Sequence, residues 1–178
     1  MSRSVELPIG LSGRPGDSIT IAGYRPADLA DLFAAVDHDE VWTHIPGARP
    51  STPDELVARL TAVPLQQPLV IRHDSEVVGT SSFFLDPSNP LGVEVGMTLL
   101  APQVWSSGLN TTVKQVMLSA AFGAGAEWVQ LRTDERNHRS AAAILKLRGV
   151  IEIQPRVESQ WIRRDGTVRT SRMFRVPK

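Results

Sequence analysis

The chain has 178 residues, 42% hydrophobic and 21% charged, with a formal net charge of zero at pH 7. That length suits a single domain covering residues 1–178, which on folding buries roughly 70% of the surface its unfolded chain exposes. It contains no cysteine, which excludes disulfides, thiolate nucleophiles and cysteine-type zinc sites.

The opening MSRSVELPIGLSG is broken by Glu6 and Pro8. Neither a secretory core nor a spanning helix is expected there, and a cytoplasmic protein is. Ser12 to Asp17 form a turn cluster, after which Ile19 and Ile21 alternate as in a first strand. Pro26 opens a helix with Leu29, Leu32, Phe33 and Val36 on one face, and Asp37-His38-Asp39 closes it. Thr52-Pro53-Asp54-Glu55 joins a cap, a first-turn proline and a capping-box glutamate, predicting a second helix that carries Leu56, Leu60 and Val63. Leu69 to His73 and Val77 to Phe84 flank Asp74-Ser75-Glu76 as a hairpin.

The next stretch organises the rest. Val93 to Leu100 is almost free of charge and reads as a buried strand, stopped by Ala101-Pro102 because proline lacks the N–H a ladder needs. Leu109, Val113, Val116, Met117 and Ala120 then recur at helical spacing, with Ser106 or Ser107 as N-cap and Gly108 letting a ligand approach the backbone. Free N–H groups at such a helix start, carrying roughly half a positive charge, form an anion cradle. Trp128 to Thr133 is a further strand, and Asn137 or Ser140 begins a helix with Ile144 and Leu147 inward. Val150 to Ile153 is a strand, and Gln160 to Arg163 and Val168 to Val176 form a closing hairpin across Arg164 to Thr167.

Charge is unevenly shared. Residues 1–102 hold six Lys/Arg against thirteen Asp/Glu, and residues 103–178 hold thirteen against six. A basic half built on an anion cradle favours a polyanionic small ligand, with nucleic acid as the other reading. The element order gives a mixed α/β (α+β) fold with no internal repeat.

A strand ending Leu-Leu-Ala-Pro, then WSSGLNTTVK and later TDERNHRSAAAILKL, resembles the GCN5-related N-acetyltransferase (GNAT) superfamily. YRPADLADLF, DEVWTHI and WIRRDGTVRTSRMFRV extend the likeness over nearly the whole chain, and the branch resembled acetylates ribosomal-protein N-termini at alanine or serine. The family's Gln/Arg-x-x-Gly-x-Gly/Ala loop falls on Trp105 to Asn110, with Gly108 matching and both ends changed; Asn137 and Ser140 fit its later Asn-x-x-Ser. The resemblance implies a mostly antiparallel sheet splayed at the strand ending near Leu100, flanked by about four helices. It also implies acetyl-CoA as acyl donor; no metal is expected, because the four histidines lie in different elements without metal-ligand spacing. Pantetheine amides would pair with backbone near Thr98, Leu99 and Leu100, and the pyrophosphate would bind N–H groups of Ser106, Ser107, Gly108, Leu109, Asn110 and Thr111. Asn137 would reach the pantetheine arm, and Ser140 would sit near the thioester sulfur.

Without a thiol relay the simplest route is direct attack by a primary amine on the bound thioester. At pH 7 deprotonation costs about 1 kcal/mol for an α-amino group and about 5 for a lysine. Glu94 is the candidate base, directly or through water, and otherwise a solvent-facing strand-end residue. A backbone N–H near Leu99 is the candidate oxyanion donor. The family's frequent tyrosine acid is replaced by Ile144, leaving Ser140 as acid or as a helix cap. Leu147-Arg148-Gly149 departs from the family's Leu-Gly, so Arg148 either approaches the phosphates or stays solvated. Trp105 reads as packing; Trp42 and His44 fall where the family builds part of its acceptor pocket. His38, His44, His73 and His138 lack metal-ligand spacing.

The expected function is an acetyl-CoA-dependent N-acetyltransferase acting on a peptide N-terminus or a small-molecule amine, monomeric or oligomeric, without membrane or DNA partners. The alternatives are a non-catalytic acyl-CoA-binding protein and an RNA-associated module using Arg163, Arg164, Arg169, Arg172 and Arg175.

Overall fold

A computed structural model describes residues 10–12 and 18–178, so the turn expected from Gly13 to Asp17 lies outside the described residues. The strands are β1 (Gly10–Ser12), β2 (Ile19–Gly23), β3 (Gln66–His73), β4 (Glu76–Leu85), β5 (Gly92–Leu100), β6 (Trp128–Asp134), β7 (Ile151–Ile162) and β8 (Val168–Pro177). The helices are α1 (Leu29–Val36), α2 (Asp39–Trp42), α3 (Pro53–Leu60), α4 (Leu109–Gly123) and α5 (His138–Leu145), five where about four were expected. The strands form one sheet in the order β1-β2-β3-β4-β5-β6-β8-β7. Every neighbouring pair is antiparallel except β5 and β6.

Alternation in the strands feeds two cores. Ile19, Ile21, Leu69, Ile71 and Phe83 face α4 and α5, whereas Val70 points the other way, to the residues of α1, α2 and α3. The β3–β4 turn places Asp74 at φ 50 and Ser75 at φ 70, the two left-handed residues a two-residue hairpin requires. Pro26 starts a 3-10 turn, Pro26–Asp28, ahead of α1. In α3, Thr52 Oγ1 accepts from Glu55 N at 3.2 Å, but the glutamate returns its bond to Ser51 N at 2.7 Å. The helix stops at Leu60, leaving Val63 48% exposed rather than on the packed face.

The two short strands expected near Ile153 and Gln160 are one long edge strand, β7. Its register against β8 breaks between Ile153 and Arg156 and again between Glu158 and Ile162. Pro155 falls in the first break, where no ladder N–H is needed.

Two features of β5 position the site. A register shift against β4 between Thr80 and Ser82 adds one residue to β5, and Met97 there has φ 48. This bulge reverses the strand's facing: Val93 and Val95 pack with α4, whereas Leu99 packs with the opposite core. Beyond the bulge, pairing with β6 has already ended at Val95–Leu131, while both strands continue. The sheet therefore parts beside Thr98 to Leu100, as the sequence led us to expect.

Close packing holds the near end of that pair together. A Cβ on Gly92 would lie 2.0 Å from the Trp128 ring, and Arg175 stacks on the same ring at 4.3 Å from its centroid. Gly92→Ala is therefore expected to lower stability by about 1–3 kcal/mol, the usual overpacking cost. An unchanged thermal midpoint would show that Trp128 can turn aside.

Candidate active site

The loop after Pro102 is shaped by its own short-range bonds. Trp105 Nε1 donates to Leu100 O at 2.8 Å, and Ser107 Oγ donates to Val104 O at 2.7 Å while accepting from Leu109 N at 3.3 Å. Ser106 has φ 62 and Gly108, the N-cap of α4, has φ 89. Such left-handed turns aim successive N–H groups into one concavity. Thr111 N and Thr112 N are satisfied by Gly108 O at 3.0 and 3.2 Å. Among the described residues, the N–H groups of Ser106, Ser107, Gly108 and Asn110 find no acceptor. Nothing lies within 4 Å of where a Gly108 Cβ would be. Asn110 Oδ1 is buried without a hydrogen-bond partner.

Ser106, Gly108, Asn110 and Thr111 line a cleft of about 400 Å3 that runs along Thr98, Leu99 and Leu100 to Asn137, Ser140 and Lys146; Ser107 and Leu109 are not among its lining residues. Its charged residues are Lys114, Arg139 and Lys146, with no carboxylate among its lining residues. Arg139 stacks on Trp105, 3.4 Å from the ring centroid, and the tryptophan itself lines the cleft.

The backbone of β5 can be phased from its bonds. Ala101 N donates to Val78 O at 2.9 Å, and Leu99 sits opposite Thr80. Leu99 and Ala101 therefore face β4, and the amides of Thr98 and Leu100 face the parting. A cleft-facing N–H is thus Leu100's or Thr98's rather than Leu99's.

At α5, Asn137 Oδ1 accepts from Ser140 N at 3.0 Å, so Asn137 is the cap and Ser140 lies inside the first turn. Both residues border the cleft and a second cavity of about 560 Å3. Glu94 borders that second cavity, with Oε1 on Arg132 Nε at 2.6 Å and Oε2 on Gln130 Nε2 at 2.8 Å. His44 lines both spaces, and its partial burial keeps its pKa below the ordinary imidazole value, so it is neutral at pH 7. Trp42, by contrast, is core, 1% exposed and bonded to Val36 O. Ile144 is 2% exposed. Arg148 is exposed and lines neither space.

One residue here carried no signal in the sequence. Lys114 on α4 is 5% exposed and borders both cavities. Its Nζ reaches Thr98 Oγ1 at 3.4 Å, and Thr98 bonds in turn to Ser81 Oγ at 2.8 Å. Burial without a carboxylate partner pushes its pKa down to about 8.

The family model described as an acetyltransferase (GNAT) domain matches residues 18–150. The chain belongs to the GNAT acetyltransferase family. Solved structures share this GNAT fold. A probable GNAT-family acetyltransferase from Chromobacterium violaceum is 20% identical, with a TM-score of 0.84 over 99% of this chain and 90% of that one. A GCN5-related N-acetyltransferase from Brucella melitensis is 15% identical, with a TM-score of 0.81 over 99% and 84%. Spermidine N-acetyltransferase from Vibrio cholerae, solved with CoA and spermine, is 13% identical, with a TM-score of 0.73 over 90% and 95%. No curated protein matches the chain. Among the described residues no helix of this GNAT acetyltransferase is long and apolar enough to cross a membrane, and no cluster of His, Asp and Glu is placed to hold a metal ion.

Proposed function

We propose that residues 1–178 form one N-acetyltransferase domain that moves an acetyl group from acetyl-CoA directly to a primary amine, both substrates being bound at once. The observation that carries this reading is the set of unpaired N–H groups of Ser106, Ser107, Gly108 and Asn110, opening where the sheet parts. Acetyl-CoA supplies the activated acyl group. The free N–H groups bind its pyrophosphate, with Arg139 and Lys146 adding positive charge along the same cleft. The orphaned Asn110 Oδ1 accepts a donor from the ligand. Thr98 and Leu100 offer their backbone to the pantetheine amides as an added strand would, and a cleft-facing N–H there steadies charge on the acyl oxygen. Asn137 keeps its side-chain nitrogen for the same arm.

On the acceptor side, Glu94 takes the proton of the attacking amine directly or through water, while Arg132 and Gln130 fix its carboxylate. Ser140 and Lys114, which border both spaces, return a proton to the departing sulfur. An ammonium of pKa about 8 is acidic enough to protonate a departing thiolate. The acceptor is an amine of a peptide N-terminus, as the ribosomal-protein branch of the resemblance suggests, or of a small molecule.

Release of free thiol from acetyl-CoA across a panel of amines tests the reaction, and calorimetry with CoA tests the binding step. CoA binding without thiol release from any amine would favour a silent acyl-CoA binder; no CoA binding would remove the reading altogether. Glu94→Gln is expected to lower kcat about 10²- to 10⁴-fold with CoA affinity unchanged, the range for a lost general base. Equal turnover at every pH would take Glu94 out of the proton path.

A further inference from the structure

The larger cavity carries positive charge that the protein leaves uncompensated. Its wall includes four cations, Arg59, Lys114, Arg132 and Arg169, against two carboxylates, Glu94 and Asp134. Both carboxylates are occupied. Glu94 holds Arg132 and Gln130 as described, and Asp134 is gripped by two nitrogens of Arg163 at 2.9 Å each. Behind the wall, Glu158 accepts from Arg132 and Arg156, both at 3.0 Å.

Arg169 differs from its neighbours. It is 7% exposed, and among the described residues it has no ion-pair partner, the nearby Asp134 and Glu158 being taken by other arginines. Its Nε donates to Ser171 Oγ at 3.1 Å, and its guanidinium lies 5.0 Å from the centroid of Trp161, which also carries Arg132 at 4.5 Å. These contacts fix the group from the Nε side. Among the described residues the two terminal nitrogens have no acceptor, and they present the parallel N–H pair that matches a carboxylate. An unpaired charge this deeply buried is costly to maintain, so the arrangement calls for an anion. Arg59, half-buried on α3, adds a second cation without an ion-pair partner among the described residues.

The other arginines of the closing hairpin are engaged elsewhere or lie outside the cavity. Arg163 pairs with Asp134 and Glu135, Arg172 with Glu152, and Arg175 stacks on Trp128. Of Arg163, Arg164, Arg169, Arg172 and Arg175, the cavity is lined by Arg169 alone.

We propose that Arg169 binds a carboxylate carried by the acceptor, so that the amine acetylated here belongs to an amino acid or to the N-terminus of an acidic peptide. This rests on the acetyltransferase reading. A polyamine would bring further ammonium groups to a wall already in positive excess and is disfavoured by the same charges.

The test uses the whole chain saturated with CoA. Binding is measured for two matched pairs, alanine with alaninamide and the C-terminally amidated dipeptide Ala-Glu with its Ala-Gln counterpart, and for spermidine. In at least one pair the acid is expected to bind about 10- to 100-fold more tightly than its amide, the range for one charge-assisted contact. Which pair shows it distinguishes a free amino acid from a peptide end. Arg169→Gln is expected to erase the preference and to raise KM, with kcat held within about threefold, as loss of uniform binding does. Arg169→Lys should retain part of it. Equal binding of acid and amide, no binding of either pair, or tightest binding of spermidine would each overturn the proposal. So would a preference that survives in Arg169→Gln. If CoA itself does not bind, the acetyltransferase reading falls too; if CoA binds and acid preference is missing, the carboxylate proposal falls alone.

Discussion

Gly108→Val is expected to weaken CoA binding by about 10- to 100-fold, the equivalent of one or two lost charge-assisted hydrogen bonds. Gly108 has φ 89, and a Cβ added there meets nothing of the protein within 4 Å. The substitution therefore makes no internal clash. Its direct cost is conformational, about 1–2 kcal/mol for a side chain held in the left-handed region. Relief comes by rotating the adjoining peptides, which turns the N–H groups of the cradle away from the anion they serve. The added methyl groups also project into the space the phosphates would fill. Calorimetry with CoA gives the affinity, and a thermal midpoint lowered only slightly shows that the fold has survived. Gly108→Ala should fall between the two. Unaltered affinity in both variants would separate this loop from the ligand.

Lys114→Met is expected to stabilise the protein by about 3 kcal/mol at pH 7, the free energy of moving a lysine from its reference pKa of about 10.4 to about 8. The sign follows from proton counting. Between pH 8 and the unfolded value the unfolded chain binds the proton that the folded chain has lost, so wild-type stability rises with pH through that window. Below it both states are protonated, and the burial penalty is fully present. Urea unfolding of wild type from pH 7 to 10 should show the rise, and Lys114→Met should flatten it. The same variant is expected to lose turnover, since its amine borders both cavities and is bonded to Thr98. A variant that is more stable yet less active separates a working cation from a structural one. A variant that is less stable at pH 7 would mean that an unseen partner compensates the charge.

Much of the frame can be read from residue patterns because local chemistry and tertiary packing agree there. The apolar period of α4, the Thr52 cap and the Asp74-Ser75 turn each follow from side chains acting on their own backbone. The parting of β5 and β6 follows from the family resemblance. The Met97 bulge does not, because a methionine at φ 48 is held there by the strands on either side rather than by any preference of its own. The edge strand β7 was expected in two pieces for a related reason: Pro155 interrupts the pattern, and only the bulged register with β8 shows that the chain continues through it. Val63 continued the helical spacing beyond the point where α3 ends.

In the site, Gly108, Asn110, Asn137 and Ser140, singled out from motif and spacing, line the smaller cleft, and Glu94 lines the larger cavity. Lys114 was invisible because a lysine amid helical spacing reads as a solvated position, and its burial depends on Thr98 being swung toward α4 by the bulge. Arg169 stood in a run of arginines with no way to single it out. Its distinction is relational, since the carboxylates that would have quenched it are bound by Arg163, Arg132 and Arg156.

The gap between β5 and β6 has a bearing on how the chain behaves when idle. Two strands leave each other in mid-sheet, so the Thr98 and Leu100 amides form an internal seam open to any extended segment that can slot beside them. Filling that seam is therefore expected to lower the tendency of the folded chain to self-associate, with no change in its core.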